Sequence, residues 1–312
     1  MSADGTSGFE SGEDLVTTVT LRNGATSLTL APQTGGSIAR FWTETKGRTI
    51  EWMRPAPAAA LKRRMPLDMS CFPLVPYSGR ICDGRFKFQG KDVVLPLNFL
   101  PEYHSIHGHG WLMPWKVIHA EDTLAALEYH HPADDWPWAY RTSQDFILEP
   151  KQLTLEMSLT NLGPGPMPAG IGPHPYFVRT PKASVTAGIA KMWPDDAENM
   201  PTKPVDPPST HDLRKGVRAD GVAMDNCFTG WDRKAVMEWP EWQARLTMTA
   251  DAPLDFLVVY TPPKENFFCV EPVSHAADAV NQVNAGRTDT GLKVLPQGQT
   301  LRVAIRFQTE IM

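Results

Sequence analysis

The sequence predicts an all-β protein that folds as one large antiparallel β-sandwich. Short runs that alternate apolar and polar residues, or that are rich in β-branched residues, recur along the 312-residue chain. Short turn-forming sequences join several of these runs, as antiparallel hairpins require. Long amphipathic helical patterns are missing, which favours a fold built on sheets.

The predicted strands lie in runs that can be taken in chain order. Three runs contain an internal turn former, namely Arg22-Asn23-Gly24, Gln89-Gly90-Lys91 and Pro150-Lys151-Gln152. We expect the strands on either side of each turn to pair as a hairpin. The runs are 15–32, 37–44, 85–97, 115–132, 144–165, 241–263 and 301–311.

Short helices are predicted at residues 58–63 and 276–283. The 29 prolines gather in linking segments, since proline removes a ladder donor and suits turns. The segment 194–212 is the one that we predict to be a mobile or ligand-covering loop. No composition break or repeat divides the chain, so we expect a disordered tail at residues 1–14 and a single domain at 15–312.

The composition limits the classes of molecule that this protein is expected to bind. With 21% charged residues and a net charge of -5, the chain has no basic excess to attract nucleic acid. No apolar run approaches the ~20 residues that cross a bilayer, and the first residues do not resemble an export signal, so a cytoplasmic protein without a membrane partner is expected. The four cysteines lack C-x-x-C spacing, which favours buried reduced thiols over disulfides or a zinc site.

Residues 102–115, "EYHSIHGHGWLMPW", concentrate histidines and aromatic residues. Alternation places His107 and His109 on the same face of an extended segment, the arrangement that a cupin-like metal site would use. The first acid after His109 is Glu121, beyond Pro114, so the spacing argues against a metal. His104 and His109 are predicted to be loop or core histidines.

His174 lies between two prolines in "GIGPHPYFV". Proline on both sides fixes the backbone and denies it both helix and regular ladder pairing, which suits a stiffly mounted loop histidine. Imidazole exchanges protons near neutrality, so His174 is an acid/base candidate. The alternative is that Pro-His-Pro is only a tight turn.

Two charged residues complete the set of candidates. Glu271 follows the apolar run 267–270, where burial would raise its carboxyl pKa and make it a better base; a buried salt bridge is the alternative. Arg80 follows a glycine turn and offers a planar fork of donors to hydroxyl or carboxyl oxygens, unless it is a solvated loop arginine.

Five segments, taken together and in this order, resemble the aldose 1-epimerase, or galactose mutarotase-like, family. They are "PYSGRICDGRFKFQGK", "HSIHGHGWLMPWKV", "GIGPHPYF", "MDNCFTGWD" and "CVEPVSHAADAVN". The resemblance runs from about residue 15 to residue 309. The H-P-Y-F and E-P-(T/S)-x-x-x-D-A-x-N motifs are its most specific parts.

The resemblance implies a large antiparallel β "supersandwich" that interconverts the α and β anomers of a free sugar without metal or cofactor. It implies that Glu271 takes the proton of the C1 hydroxyl and that His174 protonates the ring oxygen. Arg80, His107 and Asp225 are implied to bind sugar hydroxyls, with Asp225 near C1. The partner is then a small-molecule sugar, and the protein is expected to be a monomer or homodimer.

Some positions depart from the family pattern. Gly79 stands where Asn is common before the arginine, and Ser274 and Ala277 stand where Thr and Pro are common. His275 is unusual, and the sequence assigns it no role. Among the tryptophans, Trp111, Trp115 or Trp231 would offer an apolar face to a sugar, unless each belongs to the core.

Alternatives to a mutarotase of free sugars remain at this point. One is an epimerase for phosphorylated or other anionic sugars, for which Arg85, Lys87, Arg40 or Arg141 would supply cations. Another is a sugar-binding protein without turnover on the same scaffold. A cupin-type metalloenzyme is the third.

Overall fold

The computed structural model describes residues 17–312, so the predicted tail at 1–14 and the first two residues of the predicted domain lie outside the described residues. The α-helices are α1 (Ala58–Arg63) and α2 (Ala279–Asn284), and short 3₁₀ turns occupy Pro66–Asp68, Cys82–Gly84, Leu213–Lys215 and Pro240–Trp242. The strands are β1 (Val19–Asn23), β2 (Thr26–Ala31), β3 (Ser37–Thr45), β4 (Arg48–Glu51), β5 (Cys71–Leu74), β6 (Arg80–Ile81), β7 (Arg85–Phe88), β8 (Lys91–Val94), β9 (Ser105–Ile106), β10 (Lys116–Ala120), β11 (Leu124–His131), β12 (Tyr140–Glu149), β13 (Gln152–Asn161), β14 (Met167–Ala169), β15 (Gly172–Val178), β16 (Ser184–Ala187), β17 (Lys191–Trp193), β18 (Val217–Arg218), β19 (Met224–Thr229), β20 (Lys234–Trp239), β21 (Ala244–Ala250), β22 (Phe256–Thr261), β23 (Phe267–Val273), β24 (Lys293–Leu295) and β25 (Thr300–Ile311).

Two large sheets dominate the described part of the chain. The first has ten strands in the order β1-β2-β3-β5-β15-β23-β22-β19-β17, with β4 paired to β3, and the second has nine in the order β10-β11-β12-β13-β25-β21-β20-β16-β18. Small two-strand ladders join β14 to β24, β6 to β9 and β7 to β8. The named strands pair antiparallel throughout. The predicted all-β sandwich is therefore confirmed.

The main core lies between the two large sheets. Phe177 of β15 approaches Trp239 of β20 with ring centroids 6.5 Å apart, and Trp52 meets the same indole edge-on at 6.1 Å. One buried apolar cluster contains residues of both sheets, among them Phe146 of β12 and Phe268 of β23. Burial of this shared surface drives the sheets together.

The strand runs and the three hairpin turns that the sequence predicts are all present. For example, Gln89 and Gly90 link β7 to β8 with φ angles of 48° and 81°, the left-handed conformation that two-residue hairpins favour. The first predicted helix matches α1. The second begins at Ala279 rather than at 276, because Asp278 adopts a φ of 53° and its N–H donates to the Arg80 carbonyl at 2.7 Å. Between residues 17 and 312, no helix has the length and apolar character that a membrane crossing would require.

Candidate active site

The candidate site lies on the face of the ten-stranded sheet that points away from the other sheet. Side chains alternate between the two faces of a strand. On β15 and β23, Phe177 and Phe268 point into the inter-sheet core, whereas Tyr176 and Cys269 belong to a second buried cluster on the opposite face. The alternation therefore places His174 and Glu271 on this outer face.

A cavity of about 470 Å³ opens there, a volume within the ~300–1,000 Å³ of small-molecule sites. Arg80, His107, His174, Asp225 and Glu271, the residues that the sequence singles out, all line it. They come from four strands and one loop, so the fold brings together side chains that are far apart in sequence. Their roles in binding or catalysis stay predictions.

His174 and Glu271 meet at the floor of the cavity. The Nε2 atom of His174 lies 3.4 Å from Oε1 of Glu271, and the two residues are only 7% and 3% exposed. Nδ1 of His174 is buried and has no hydrogen-bond partner within residues 17–312. Both side chains line the cavity, so a ligand there would lie against them.

The prediction of a loop histidine at 174 is wrong, because His174 lies within β15 and pairs with Phe72 of β5. The two prolines interrupt strand pairing on one side of β15 only. The N–H of Tyr176 donates towards β5, to the Ser70 carbonyl at 2.8 Å, so the missing N–H groups of Pro173 and Pro175 would have faced β23. The β15–β23 ladder accordingly pairs only at residues 176–178.

Aromatic rings fix the orientation of His174. Its imidazole lies against Phe72 with centroids 4.5 Å apart and against Tyr176 at 4.7 Å and 16°. Burial lowers the pKa of His174 to about 3, and the nearby Arg54 charge adds to this. Burial therefore disfavours the imidazolium form of this ring.

The pKa of Glu271 is shifted upwards, in the direction opposite to that of His174. Burial, and next the charge of Asp225, raise the pKa of the Glu271 carboxyl well above its usual range. A buried imidazole and a buried carboxyl in contact favour a net neutral pair, which holds one proton between them. Such a pair can accept a proton at one atom while it donates one at the other.

Arg80 is held by two carboxylates. Its Nε lies 2.9 Å from Oε1 of Glu102, and its Nη2 lies 3.7 Å from Oδ2 of Asp225. The residue before it, Gly79, has a φ of 65°, and a Cβ there would lie 2.8 Å from the Cβ of Ala277. A larger residue at position 79, such as the family's common Asn, would collide with the loop that follows Glu271.

His107 faces the cavity with a defined tautomer. The N–H of Gly79 donates to Nδ1 of His107 at 3.2 Å, and burial lowers the pKa of this ring well below its usual value. The proton of the neutral ring is then on Nε2, which makes it a donor to a ligand oxygen. The ring stands perpendicular to that of His174 at a centroid distance of 5.3 Å.

The prediction that His107 and His109 share a face is wrong. His107 and Gly108 have φ angles of 62° and 71°, so the segment turns instead of extending. His109 points away from the cavity and stacks on His131 at 4.5 Å. His104 is a bridging loop histidine: it accepts from the Asp83 N–H at Nδ1 (3.1 Å), and its Nε2 lies 3.0 Å from the Glu198 carbonyl.

Of the three tryptophans considered as sugar-facing walls, one reaches the cavity. Trp111 lines it and lies nearly parallel to Phe72, with centroids 5.3 Å apart. Trp115 and Trp231 belong to the inter-sheet core. The aromatic lining of the cavity consists of Trp111 together with Phe99, Tyr176, Tyr260 and Phe267, and Phe72 packs behind Trp111.

Several cavity residues escaped the sequence reasoning. Asp195 and Asn199 reach the cavity from the segment predicted as a covering loop, and Arg54 and Glu265 also line it. Only the proline-rich character of 194–212 signalled this contact. Cys269, a buried free thiol, completes a His174–Cys269–Glu271 group whose possible ligand atoms all lie within 4.8 Å of one another. These three are the residues that could hold a metal ion in the cavity.

None of the cations suggested for an anionic sugar lines the cavity. Arg40 is paired with Glu51 at 2.5 Å, and Lys87 lies on the β7–β8 hairpin, 3.3 Å from Asp92. Arg141 belongs to the other large sheet, where it faces Glu128, and Arg85 lies exposed on β7. The proposed cationic rim is therefore wrong.

Comparisons with known proteins agree with this geometry. The sequence profile described as "Aldose 1-epimerase" matches residues 17–308. The uncharacterized protein YphB of Escherichia coli K12 is 32% identical over 279 residues, which cover 87% of this chain and 92% of YphB.

Solved structures give the same result for the fold. A crystal structure from Escherichia coli K12, assigned provisionally by name to the aldose 1-epimerases, superposes with a TM-score of 0.86 at 29% identity and covers 95% of this chain and 99% of that one. A galactose mutarotase-like protein from Clostridium acetobutylicum gives 0.83 at 21% identity, with 94% and 95% covered. The latter likeness concerns the fold alone.

Fold and cavity together define a galactose mutarotase-like β-sandwich with a cavity of small-molecule size on the outer face of one sheet. This chain belongs to the aldose 1-epimerase family.

Proposed function

We propose that this protein is a mutarotase, which interconverts the α and β anomers of a free monosaccharide. The observation that carries the proposal is the contact between Nε2 of His174 and Oε1 of Glu271, 3.4 Å apart at the buried floor of the cavity. Family membership supports the reaction class.

The chemistry needs two positioned groups that move protons in opposite directions. Glu271 takes the proton of the C1 hydroxyl, and His174 gives a proton to the ring oxygen, while the bond between C1 and the ring oxygen breaks and a C1 carbonyl forms. The open aldehyde rotates about C1–C2, and the reverse transfers close the ring on the other face. The pair ends with the same single proton that it held at the start, so no cofactor is consumed.

When the shared proton lies on His174 and Glu271 is ionised, the electrostatics favour both transfers. The raised pKa of the Glu271 carboxyl makes the carboxylate a stronger base, and the lowered pKa of His174 makes its imidazolium a stronger acid. Arg80, His107 and Asp225 surround the same space and would hold the hydroxyls, so that the open-chain sugar stays in place.

The test is the rate of anomer exchange, followed by NMR or by optical rotation from pure α-glucose and α-galactose. We expect Glu271→Gln and His174→Asn to lower kcat/KM by roughly 10²- to 10⁴-fold, the contribution of one proton-transfer group. Matched controls are Glu238→Gln on β20 and His130→Asn on β11, both in the other large sheet; these should keep the parent rate.

Two results would contradict the proposal. Undiminished rates in both cavity variants would dismiss the assigned mechanism, and tight sugar binding without faster exchange would identify a binding protein instead. A chelator added to the same assay tests the His174–Cys269–Glu271 group: the proton-transfer mechanism predicts an unchanged rate, and a metal-dependent reaction predicts its loss.

A further inference from the structure

The segment 194–202 forms a compact cap over part of the cavity; we refer to it as the cap segment. The N–H groups of Glu198 and Met200 both donate to the Asp196 carboxylate, at 2.9 and 3.1 Å. The N–H of Thr202 donates back to the Pro194 carbonyl at 2.8 Å and closes the segment. Its backbone is therefore held by internal bonds before any ligand arrives.

The cap segment contributes Asp195 to the cavity wall. Asn199, which lines the cavity and is also exposed to solvent, places the cap at the mouth. If C1 of the sugar lies against Glu271 and His174 at the floor, the substituents remote from C1 point towards the mouth and towards Asp195.

The charges that line the cavity are mainly negative. Its acidic lining residues outnumber the two arginines, Arg54 and Arg80; they are Asp68, Asp195, Asp225, Glu265 and Glu271. Burial raises the pKa of Asp195, Asp225 and Glu271. No lining residue other than the two arginines carries a permanent positive charge.

The two arginines differ: Arg80 is paired with carboxylates, whereas Arg54 bonds to neutral carbonyls and its Nε is buried without a partner within residues 17–312. Arg80 contacts Glu102 and Asp225. Arg54 donates from Nη2 to the carbonyls of Leu67 and Met69, at 2.6 and 2.9 Å, and its guanidinium covers the rings of Tyr176 and Phe267. Asp195 has no ion pair of its own within residues 17–312.

We propose that Asp195 is a specificity-determining residue: its carboxylate at the mouth repels sugars that carry an anionic group remote from C1 and favours sugars that carry a protonated amine there. The inference rests on the proposed function for the orientation of the sugar. A phosphate beside Asp195 would meet a like charge, whereas an ammonium would supply the partner that Asp195 lacks.

The protonation state of Asp195 sets the condition for the test. Burial raises the pKa of this carboxyl to about 7, the charge of Asp225 acts in the same direction and that of Arg80 opposes it. Measurements at about pH 8 therefore examine the ionised form.

The experiment compares glucose, 6-amino-6-deoxyglucose and glucose 6-phosphate, both by anomer exchange and by calorimetric binding. We expect kcat/KM and affinity to rank amine above phosphate by at least about tenfold, with glucose between them. Asp195→Asn should reduce the amine-to-phosphate ratio several-fold. Asp206→Asn, which removes the same charge from an exposed position paired with Lys191 at 2.8 Å, should leave the ratio unchanged.

Different results would overturn the mutarotase activity and the role of Asp195. Equal or better turnover of glucose 6-phosphate, or a ratio that Asp195→Asn does not alter, overturns the role of Asp195 while the mutarotase activity stands. Absence of exchange with every sugar, accompanied by calorimetric affinities in the predicted order, overturns the activity and supports the charge selection.

Discussion

His275, which the sequence left without a role, is a buried brace beside the cavity. Its Nε2 accepts from the Ser78 N–H at 3.3 Å, and its Nδ1 lies 2.7 Å from the Ala276 carbonyl. Only a neutral ring with the proton on Nδ1 satisfies both contacts. The ring packs directly on Gly170, where a Cβ would lie 1.9 Å from Nε2. It therefore fixes the turn that leads to Arg80.

The burial of His275 as a neutral ring predicts that the free energy of unfolding depends on pH. Burial lowers the pKa of His275 to about 4 in the folded state, against ~6.5 in the unfolded chain. The unfolded state then binds more protons between these values, so stability is lost as the pH falls. Between about pH 7 and pH 5 the loss from this residue amounts to about 2 kcal/mol.

Urea unfolding at these two pH values, for the parent protein and for His275→Gln, measures the effect. The variant should show the smaller dependence on pH, because glutamine does not titrate. The groups that titrate in both proteins, including His109, His174 and Glu271, cancel in the comparison. Parallel profiles for the two proteins would show that His275 does not carry the effect.

The sequence predicted the positions of some of these residues correctly and those of others not at all. The burial of Glu271 follows from the apolar run before it, and the structure agrees. Asp195 could not be found, because its place beside the cavity depends on a cap whose internal bonds and whose contact to His104 leave no signal in the local sequence. The shared face of His107 and His109 failed because period-two alternation assumes an extended backbone, and positive φ angles at 107 and 108 break it.

At the scale of elements, the site lies where the hydrogen-bond ladder between β15 and β23 stops. The prolines of β15 leave paired residues only at 176–178, and His174 and Glu271 lie just beyond that point. The sequence predicted the missing pairing correctly on one side, but it could not show that β5 would pair on the other. Neighbours in a sheet that are distant in sequence leave no local signal.

The cap segment depends on His104. Because Nδ1 accepts from the Asp83 N–H, the ring of the neutral side chain donates from Nε2 to the Glu198 carbonyl. This bond ties the tip of the cap to the loop after β8. The residue is 4% exposed, so both bonds are shielded from water.

His104→Ala removes this tie. We expect amide hydrogen exchange in residues 196–200 to accelerate by about tenfold, the equivalent of one lost hydrogen bond. His119→Ala on the exposed strand β10 is the matched control and should leave the cap unchanged. Unaltered exchange in the His104 variant would mean that the internal bonds of the cap suffice.

At the scale of the whole molecule, two sheets form one core, and the site uses the face that the core leaves free. The alternating strand patterns predicted the sandwich, because their period specifies a buried face. They could not predict the strand order, in which β13 lies beside β25 and β15 beside β5 and β23. Local patterns singled out His174, Glu271 and Arg80 as separate candidates, but only the resemblance to the family predicted that they share one site with His107 and Asp225.

The central claim is that one pyranose occupies the cavity with its anomeric carbon between Glu271 and His174. A crystal structure with a bound aldose tests it most directly. The account predicts the C1 oxygen within roughly 2.6–3.2 Å of the Glu271 carboxylate and the ring oxygen within the same distance of Nε2 of His174. A sugar bound with C1 turned away from both side chains, or bound outside this cavity, would contradict it.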